Sequence, residues 1–339
     1  MIAPQAGHRP RVSVAMCTFN GSRFLPAQLD SIAAQTVAPD ELVVQDDGSD
    51  DGSAALIERF AAQAPFPVRL VVNAQRLRPA RNFGACIARC TGDIILLTDQ
   101  DDVWLSDRIE RTITAYDDPE VAFTFSDAPL IDADGQLLGR TIFDTVPVSP
   151  ADRVRLTAGH DLLPLILRYG VLYGTTMSVR YDVAAASLPI ADGWSHDEWL
   201  SLVGAALGRS KRMEPVTRYR QHASQVVGSG EGGLHSIVVG AQNRPERFYI
   251  TEQARYEAAV RTIEESSSLA ATLRPIFEVK LAFIAARQSI HRGGVAGFGL
   301  ILRQIANGNY TRFAGGARSI AKDTALAVRA TLKFRRAAN

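Results

Sequence analysis

The chain is most constrained by an alternation in its first hundred residues, where short apolar runs are separated by segments with apolar residues at helical spacing. The runs VSVAM (12–16), ELVVQD (41–46), VRLVVN (68–73) and DIILLT (93–98) read as strands. Between them FLPAQLDSIAAQ (24–35), SAALIERFAAQ (53–63) and RNFGACIARC (81–90) read as amphipathic helices, with Ser53 placed to cap the second. Strands that are apolar throughout, rather than on alternate residues, must be covered on both faces. With helices between them they predict an α/β fold on a mostly parallel sheet. Ligands of such sheets bind beyond the carboxyl ends of the strands. Thr18 and Asn20, Asp46 and Asp47, and Asp99 and Asp101 each follow a strand end, so all six are expected on one rim.

Beyond residue 102 the pattern is less regular. A helix is expected over 105–116, a strand over 121–132 closed by the turn DADGQ, strand character over 173–184, a helix over 197–208 ended by Gly208, and an extended run over 212–222. Residues 137–160 show no firm pattern, GSGEGG (228–233) reads as a loop or linker, and the pattern from about 236 is largely helical. A net charge of +1 argues against general nucleic-acid binding. Three cysteines, Cys17, Cys86 and Cys90, lack a disulfide spacing and point to a reducing compartment. The N-terminal MIAPQAGHRPR has no apolar signal-peptide core, and no run approaches the ~18 apolar residues of a membrane span. A cytoplasmic protein is expected, peripheral to the inner face of the membrane at most. Residues 300–339 hold eight Lys or Arg against the single acid Asp323, with apolar residues interleaved. Such a tail can lie on an anionic membrane surface, or can equally be the solvated face of helices packed on the domain.

The chemistry concentrates in TDQDDVW (98–104). Asp99 and Asp101, two apart on an extended segment, project the same way, and a hard divalent cation would neutralise both. Mg²⁺ is commonly held by one or two carboxylates together with substrate phosphates, which suits a diphosphate-bearing substrate. The alternative is a solvated acidic turn, with Asp102 at the N-terminus of the next helix. A calcium loop is excluded, because Val103 and Trp104 occupy its fifth and sixth positions and the sixth requires glycine. IILLTDQDDV also fits the first motif of haloacid-dehalogenase-like phosphatases, although that motif normally opens its domain and here some ninety residues precede it.

Five ordered blocks resemble a known family: VAMCTFNGSRFLPAQLDSIAAQT, ELVVQDDGSDDGS, ARNFGACIARCTGDIILLTDQDDVW, HDEW and RYRQHASQVVG. Together they are similar to the family 2 glycosyltransferases of GT-A fold, most of all to bacterial rhamnosyltransferase-like members that build cell-surface polysaccharide. The resemblance implies a GT-A domain over 1–228, with a nucleotide-binding half at about 11–104 and an acceptor half at about 105–228, then a helical extension over 229–339 with a basic tail. It implies that Thr18, Asn20, Asp47, Arg81 and Asp99 bind the donor nucleotide sugar, Asp47 through its base. Asp99, Asp101 and His222 would hold Mg²⁺ or Mn²⁺, the imidazole favouring Mn²⁺. Asp197 of HDEW would be the general base, with Glu198 the alternative, and Arg220 would shape the loop around the donor. Residue by residue, Asp47 could instead be an Asx-turn residue, Arg81 a surface arginine, and Asp197 a helix cap.

The expected reaction is an inverting, metal-dependent transfer from a nucleotide sugar, with dTDP-rhamnose the first candidate and UDP- or GDP-sugars the others. The acceptor would be a cell-surface polysaccharide or a lipid-linked glycan, and no nucleic acid is expected as a partner. The alternatives are the phosphatase and a non-catalytic nucleotide-sugar-binding module.

Overall fold

The computed structural model describes residues 9–223, 225, 245–292 and 295–337. The glycine-rich stretch 228–233, most of SQVVG, His8 and His235 lie outside the described residues, as does the expected boundary at 228. Two compact units are present. The first comprises the described residues of Met1–Leu162, Val171–Ile190 and Trp194–Leu234, the second those of Leu163–Gly170, Ala191–Gly193 and His235–Asn339. Two short excursions from the N-terminal part of the chain thus group with the C-terminal helices.

The first unit opens with β1 (Val12–Thr18), α1 (Leu25–Ala33), β2 (Glu41–Asp46), α2 (Ser53–Ala61), β3 (Val68–Val72), α3 (Pro79–Ile87) and β4 (Ile94–Thr98). Strands β2 and β4 are buried at every residue, as their unbroken apolar character requires. β1 pairs in parallel with β2 and β4, and β2 with β3. The register sets Thr18 opposite Asp46 and Met16 opposite Thr98, so the three strands end on one rim. α1 turns Leu25, Gln28, Leu29 and Ile32 inward, and α3 turns in Asn82, Phe83, Cys86 and Ile87. Pro79 starts α3 two residues before the expected helix, because proline suits a first helical turn, where its missing N–H has no partner to lose.

The chain continues through β5 (Val103–Trp104), α4 (Arg108–Ala115), β6 (Val121–Ser126), β7 (Pro129–Ile131), β8 (Leu137–Thr141), α5 (Ile142–Thr145) and α6 (Pro150–Ala158). After α7 (Leu163–Ile166) of the second unit come β9 (Ser178–Arg180), α8 (Tyr181–Ala186), α9 (His196–Leu207), β10 (Arg209–Met213) and β11 (Thr217–Arg220). A seven-stranded sheet runs β10-β6-β9-β4-β1-β2-β3, with β9 antiparallel to both β4 and β6. A smaller sheet, β5-β11-β7-β8, lies in the same unit.

Three expectations are corrected. The strand over 121–132 is two strands in different sheets, broken before Pro129, which has no N–H to continue a ladder. The run 212–222 likewise divides between two sheets around Pro215. Only Ser178–Arg180 of 173–184 is strand, because Gly174–Thr176 forms a 3₁₀ turn and the alanine-rich YDVAAA becomes α8.

The second unit is helical: α7 is joined by α10 (Pro245–Ile263), α11 (Ser267–Arg292), α12 (Val295–Ala306), α13 (Asn309–Phe313) and α14 (Ala317–Ala337). No described helix is long and apolar enough to cross a membrane.

Candidate active site

At the rim, the β1 and β2 ends are locked to each other. The Thr18 hydroxyl donates to Asp46 (2.6 Å), and the same carboxylate accepts the Gly48 and Ser49 amides (3.1 and 2.8 Å). Asp46, not Asp47, is therefore the turn-forming residue of QDDGS. The neighbouring Asp47 turns the other way. It accepts the Asn73 amide (2.8 Å) and the backbone N–H groups of Leu77 and Arg78 (2.6 and 2.9 Å), with Arg76 Nε at 3.7 Å. These contacts fasten the loop before α3, where Arg78 has φ +69° and ψ 162°, a conformation that L side chains rarely adopt. The Arg76 guanidinium lies over the Phe19 ring, 3.5 Å from its centroid. Asn20 is exposed and its side chain accepts the Asp50 amide (3.0 Å). Arg81, expected ahead of the helix, lies within the first turn of α3 and is exposed.

The DQDD segment after β4 bends rather than running extended. Gln100 exchanges two hydrogen bonds with the Phe19 backbone (2.8 and 3.1 Å), fixing this segment to the loop after β1. A Cβ at Gly21 would fall 2.2 Å from the Gln100 side-chain oxygen, so any larger residue there would displace Gln100. Asp101 meets His222 Nε2 at 2.8 Å, and the His222 ring packs on Phe24 (centroids 4.4 Å). Asp102 does not cap the following helix as expected. It is fully buried and accepts the Arg220 amide (2.9 Å), while α4 begins only at Arg108. Arg220 donates through its side chain to the carbonyls of Asp101 (2.6 Å), Asp132 (3.1 Å) and Ala133 (3.0 Å).

Burial and the neighbouring carboxylates of Asp102, Asp101 and Asp197 hold the Asp99 carboxyl well above the usual range. Burial, then Asp101, raises Asp102 to about 7. The cation beneath them is Arg108, which is 1% exposed and lies against the Trp104 ring, 3.9 Å from its centroid. Arg108 donates to Thr217 (2.6 Å) and to the Leu97 carbonyl (3.0 Å), and burial lowers it to about 9. The sequence offers only a weak signal for it: Arg108 shares the inward face of α4 with Ile109, Thr112 and Ala115.

On the acceptor side, the Asp197 carboxylate accepts the Gly174 amide (3.2 Å), the Ser195 hydroxyl (2.5 Å) and the Glu198 amide (2.9 Å). Glu198 instead reaches back to the Ser195 amide (3.4 Å) and hydroxyl (3.1 Å), as the acid of a helix cap does. His196 stacks on Phe83, centroids 3.7 Å apart and planes 15° apart, and burial lowers its pKa. Its Nε2 is buried with no hydrogen-bond partner, and a Cβ on Gly174 would come within 2.4 Å of it. The glycine of YGTT is thus explained by the close approach of the stacked His196 ring.

Asp99, Asp101, Asp102, Asp197 and His222 therefore converge, and the Cys17 thiol at the end of β1 feels both Asp99 and Asp47. Thr18 belongs to the same rim with its hydroxyl engaged by Asp46. A divalent cation fits this donor set. Crowded carboxylates need a counter-charge, and the buried Asp102 Oδ2 makes no hydrogen bond. Among the described residues, no group of three or more His, Cys, Asp or Glu side chains is placed to hold a metal ion by itself.

Residues 13–161 match the model for "Glycosyl transferase family 2". The chain is 28% identical over 223 residues to an uncharacterized glycosyltransferase of Nostoc sp., covering 63% of this chain and 66% of the relative. It is 25% identical over 120 residues to the UDP-Glc:alpha-D-GlcNAc-diphosphoundecaprenol beta-1,3-glucosyltransferase of Escherichia coli, covering 35% of this chain and 46% of the relative. Among solved structures it is similar to a mannosyltransferase from Pyrobaculum calidifontis in complex with GDP-Man and Mn²⁺, with a TM-score of 0.51 and 18% identity, over 97% of this chain and 89% of that one. The chain thus spans less than two thirds of the length of these curated relatives, and its α/β sheet with C-terminal helices has the GT-A-like fold. The segment 13–161, which carries β1 to β4 and the DQDD rim, is thus similar to glycosyl transferase family 2, on a sheet of GT-A-like plan.

Proposed function

We propose that the protein transfers a sugar, with inversion, from a nucleotide-sugar donor to a hydroxyl of a bacterial polysaccharide or lipid-linked glycan. The observation that carries this reading is the gathering of Asp99, Asp101, Asp102 and Asp197 at the carboxyl end of β4, where burial and then the neighbouring carboxylates push the Asp99 carboxyl upward. Such a cluster suits a cation-neutralised diphosphate and is costly without one. Asp99 and Asp101 with His222 would hold Mg²⁺ or Mn²⁺, which when bound supplies Lewis-acid stabilisation of the departing diphosphate. Thr18, Asn20, Asp47 and Arg81 are the donor-side residues. Asp47 would meet the base only once its contacts with Leu77 and Arg78 are exchanged.

Asp197 is the base in this reading. It accepts the proton of the acceptor hydroxyl while that oxygen bonds to the anomeric carbon and the bond from carbon to the diphosphate oxygen breaks. The Gly174 amide and the Ser195 hydroxyl would hold the carboxylate in place. The capping contacts of Glu198 favour Asp197 over its neighbour. Donors containing UDP, GDP or dTDP remain candidates, with dTDP-rhamnose the first to try. The names of the relatives support nucleotide-sugar donors and, in one case, a diphosphoundecaprenol-linked acceptor.

A donor screen by thermal shift, with and without Mn²⁺, tests this reading. A bound nucleotide sugar should raise the melting temperature in a metal-dependent way, and chelation should remove the shift. Product analysis should then find nucleoside diphosphate. Release of inorganic phosphate would favour the phosphatase alternative, and metal-dependent binding without turnover the non-catalytic module.

A further inference from the structure

The C-terminal unit has an unusual charge economy. From residue 279 to residue 339 the only acid is Asp323, against Lys280, Arg287, Arg292 and the eight cations of the tail. The structure removes even that acid from the surface. Asp323 is 0% exposed, accepts both the Nε and a terminal N–H of Arg287 (2.7 and 2.9 Å), and accepts the Tyr310 hydroxyl (2.8 Å). Arg303 on α12, Arg312 on α13, and Arg318 and Arg329 on α14 are all exposed, with no exposed acid among the described residues of these helices.

The apolar side chains on the same helices deepen the contrast. Leu302 is 67% exposed, Ile305 41% and Val328 42%. Leu302 and Ile305 are three residues apart and flank Arg303, so they share the outer side of α12. On α14 the exposed positions 317, 318, 321, 325, 328 and 329 recur at helical spacing and carry only Arg, Ala and Val. A nucleic-acid phosphate backbone would answer the arginines but not the leucine and isoleucine, and Phe298 of α12 is half-buried while Tyr310 and Phe313 of α13 are buried. An anionic bilayer answers both, with headgroups for the cations and the acyl boundary for the apolar side chains.

We propose that the outer sides of α12 and α14 form a docking surface for anionic phospholipid, with Leu302, Ile305 and Val328 entering the headgroup boundary and Arg303, Arg318 and Arg329 meeting lipid phosphates. The contact is interfacial, since no described helix can span a bilayer. It places the enzyme at the surface where a lipid-linked acceptor resides, and to that extent it rests on the proposed function. The docking itself requires only the helices.

The test is co-sedimentation of the full chain with phosphatidylcholine vesicles that contain or lack phosphatidylglycerol, at low and raised salt. Binding should need phosphatidylglycerol and weaken with salt. Reversing Arg303 and Arg329 to Glu should weaken it by about tenfold or more. Leu302→Ser with Ile305→Ser should cost roughly fivefold or more, and should remove most of the binding that survives raised salt. Circular dichroism of each variant, and its metal-dependent thermal shift with a nucleotide sugar, should match the parent, so that loss of docking is read separately from loss of donor binding. Equal binding to neutral vesicles, no binding to either, or parent-like binding by both double variants would overturn the proposal. So would capture by duplex DNA at salt that abolishes vesicle binding.

Discussion

Two buried acids in this molecule have opposite surroundings. Asp323 in the helical unit is fully enclosed, but Arg287 grips both its oxygens and Tyr310 adds a third donor. Asp102 in the sheet unit is equally enclosed, yet its second oxygen has no hydrogen bond, and the one buried cation near it, Arg108, is shared with the crowding carboxylate of Asp99. One charge has been completed by the fold and the other left open. A completed pair holds helices together. An open cluster is a poor contributor to stability and makes sense only if something outside the chain completes it.

The contrast can be broken most sharply at the reaction itself. Asp197→Asn should lower turnover by about 10²–10⁴ while leaving metal-dependent donor binding in place, measured as nucleoside diphosphate release beside calorimetry. Near-parent turnover would remove Asp197 from its role. Next in size, Asp323→Asn leaves the Arg287 guanidinium enclosed without its counter-charge and should destabilise the protein by about 3–5 kcal/mol in denaturant unfolding. The matching change at the rim should go the other way. Asp102→Asn keeps an acceptor for the Arg220 amide but relieves charge crowding, so stability should hold or rise by about 1–2 kcal/mol while activity falls.

Lys280 sharpens the comparison from the basic side. It is buried, donates to the carbonyls of Leu167 (3.2 Å) and Phe313 (3.1 Å), and burial lowers its amine from 10.5 to about 8. Between those values the unfolded chain binds the extra proton, so stability should rise with pH across about pH 8 to 10.5, by at most ~1.4 kcal/mol per unit. Lys280→Met should flatten that slope, and an unchanged slope would show that Lys280 does not set it. The smallest effect is expected at Arg78. Arg78→Gly relieves its left-handed backbone and should raise stability by about 1 kcal/mol in thermal unfolding.

The sheet strands were legible because β1, β2 and β4 are apolar at nearly every residue, and that property is local. The convergence of Asp99 and Asp101 with HDEW and RYRQH was anticipated from the order of the blocks, and the structure brings Asp197 and His222 to them. Asp102 was misread because a carboxylate ahead of a helix resembles a cap, whereas its true partner, the amide of Arg220, lies 118 residues along the chain. Arg108 was barely signalled for a similar reason. An arginine reads as surface until the rest of the fold supplies Trp104, Thr217 and the Leu97 carbonyl to enclose it. The turn before β9 was hidden because only packing against His196 explains Gly174.

Arg220 has a consequence of its own. It joins the Asp101 and Asp102 segment to the turn at Asp132 and Ala133, and it lies two residues before His222. Its amide holds Asp102, its guanidinium holds the Asp101, Asp132 and Ala133 carbonyls, and β11 itself pairs with β7. One residue thus fastens the carboxylate cluster to the turn of the β7–β8 hairpin, so the cluster is braced from a second sheet as well as from the strand that carries it.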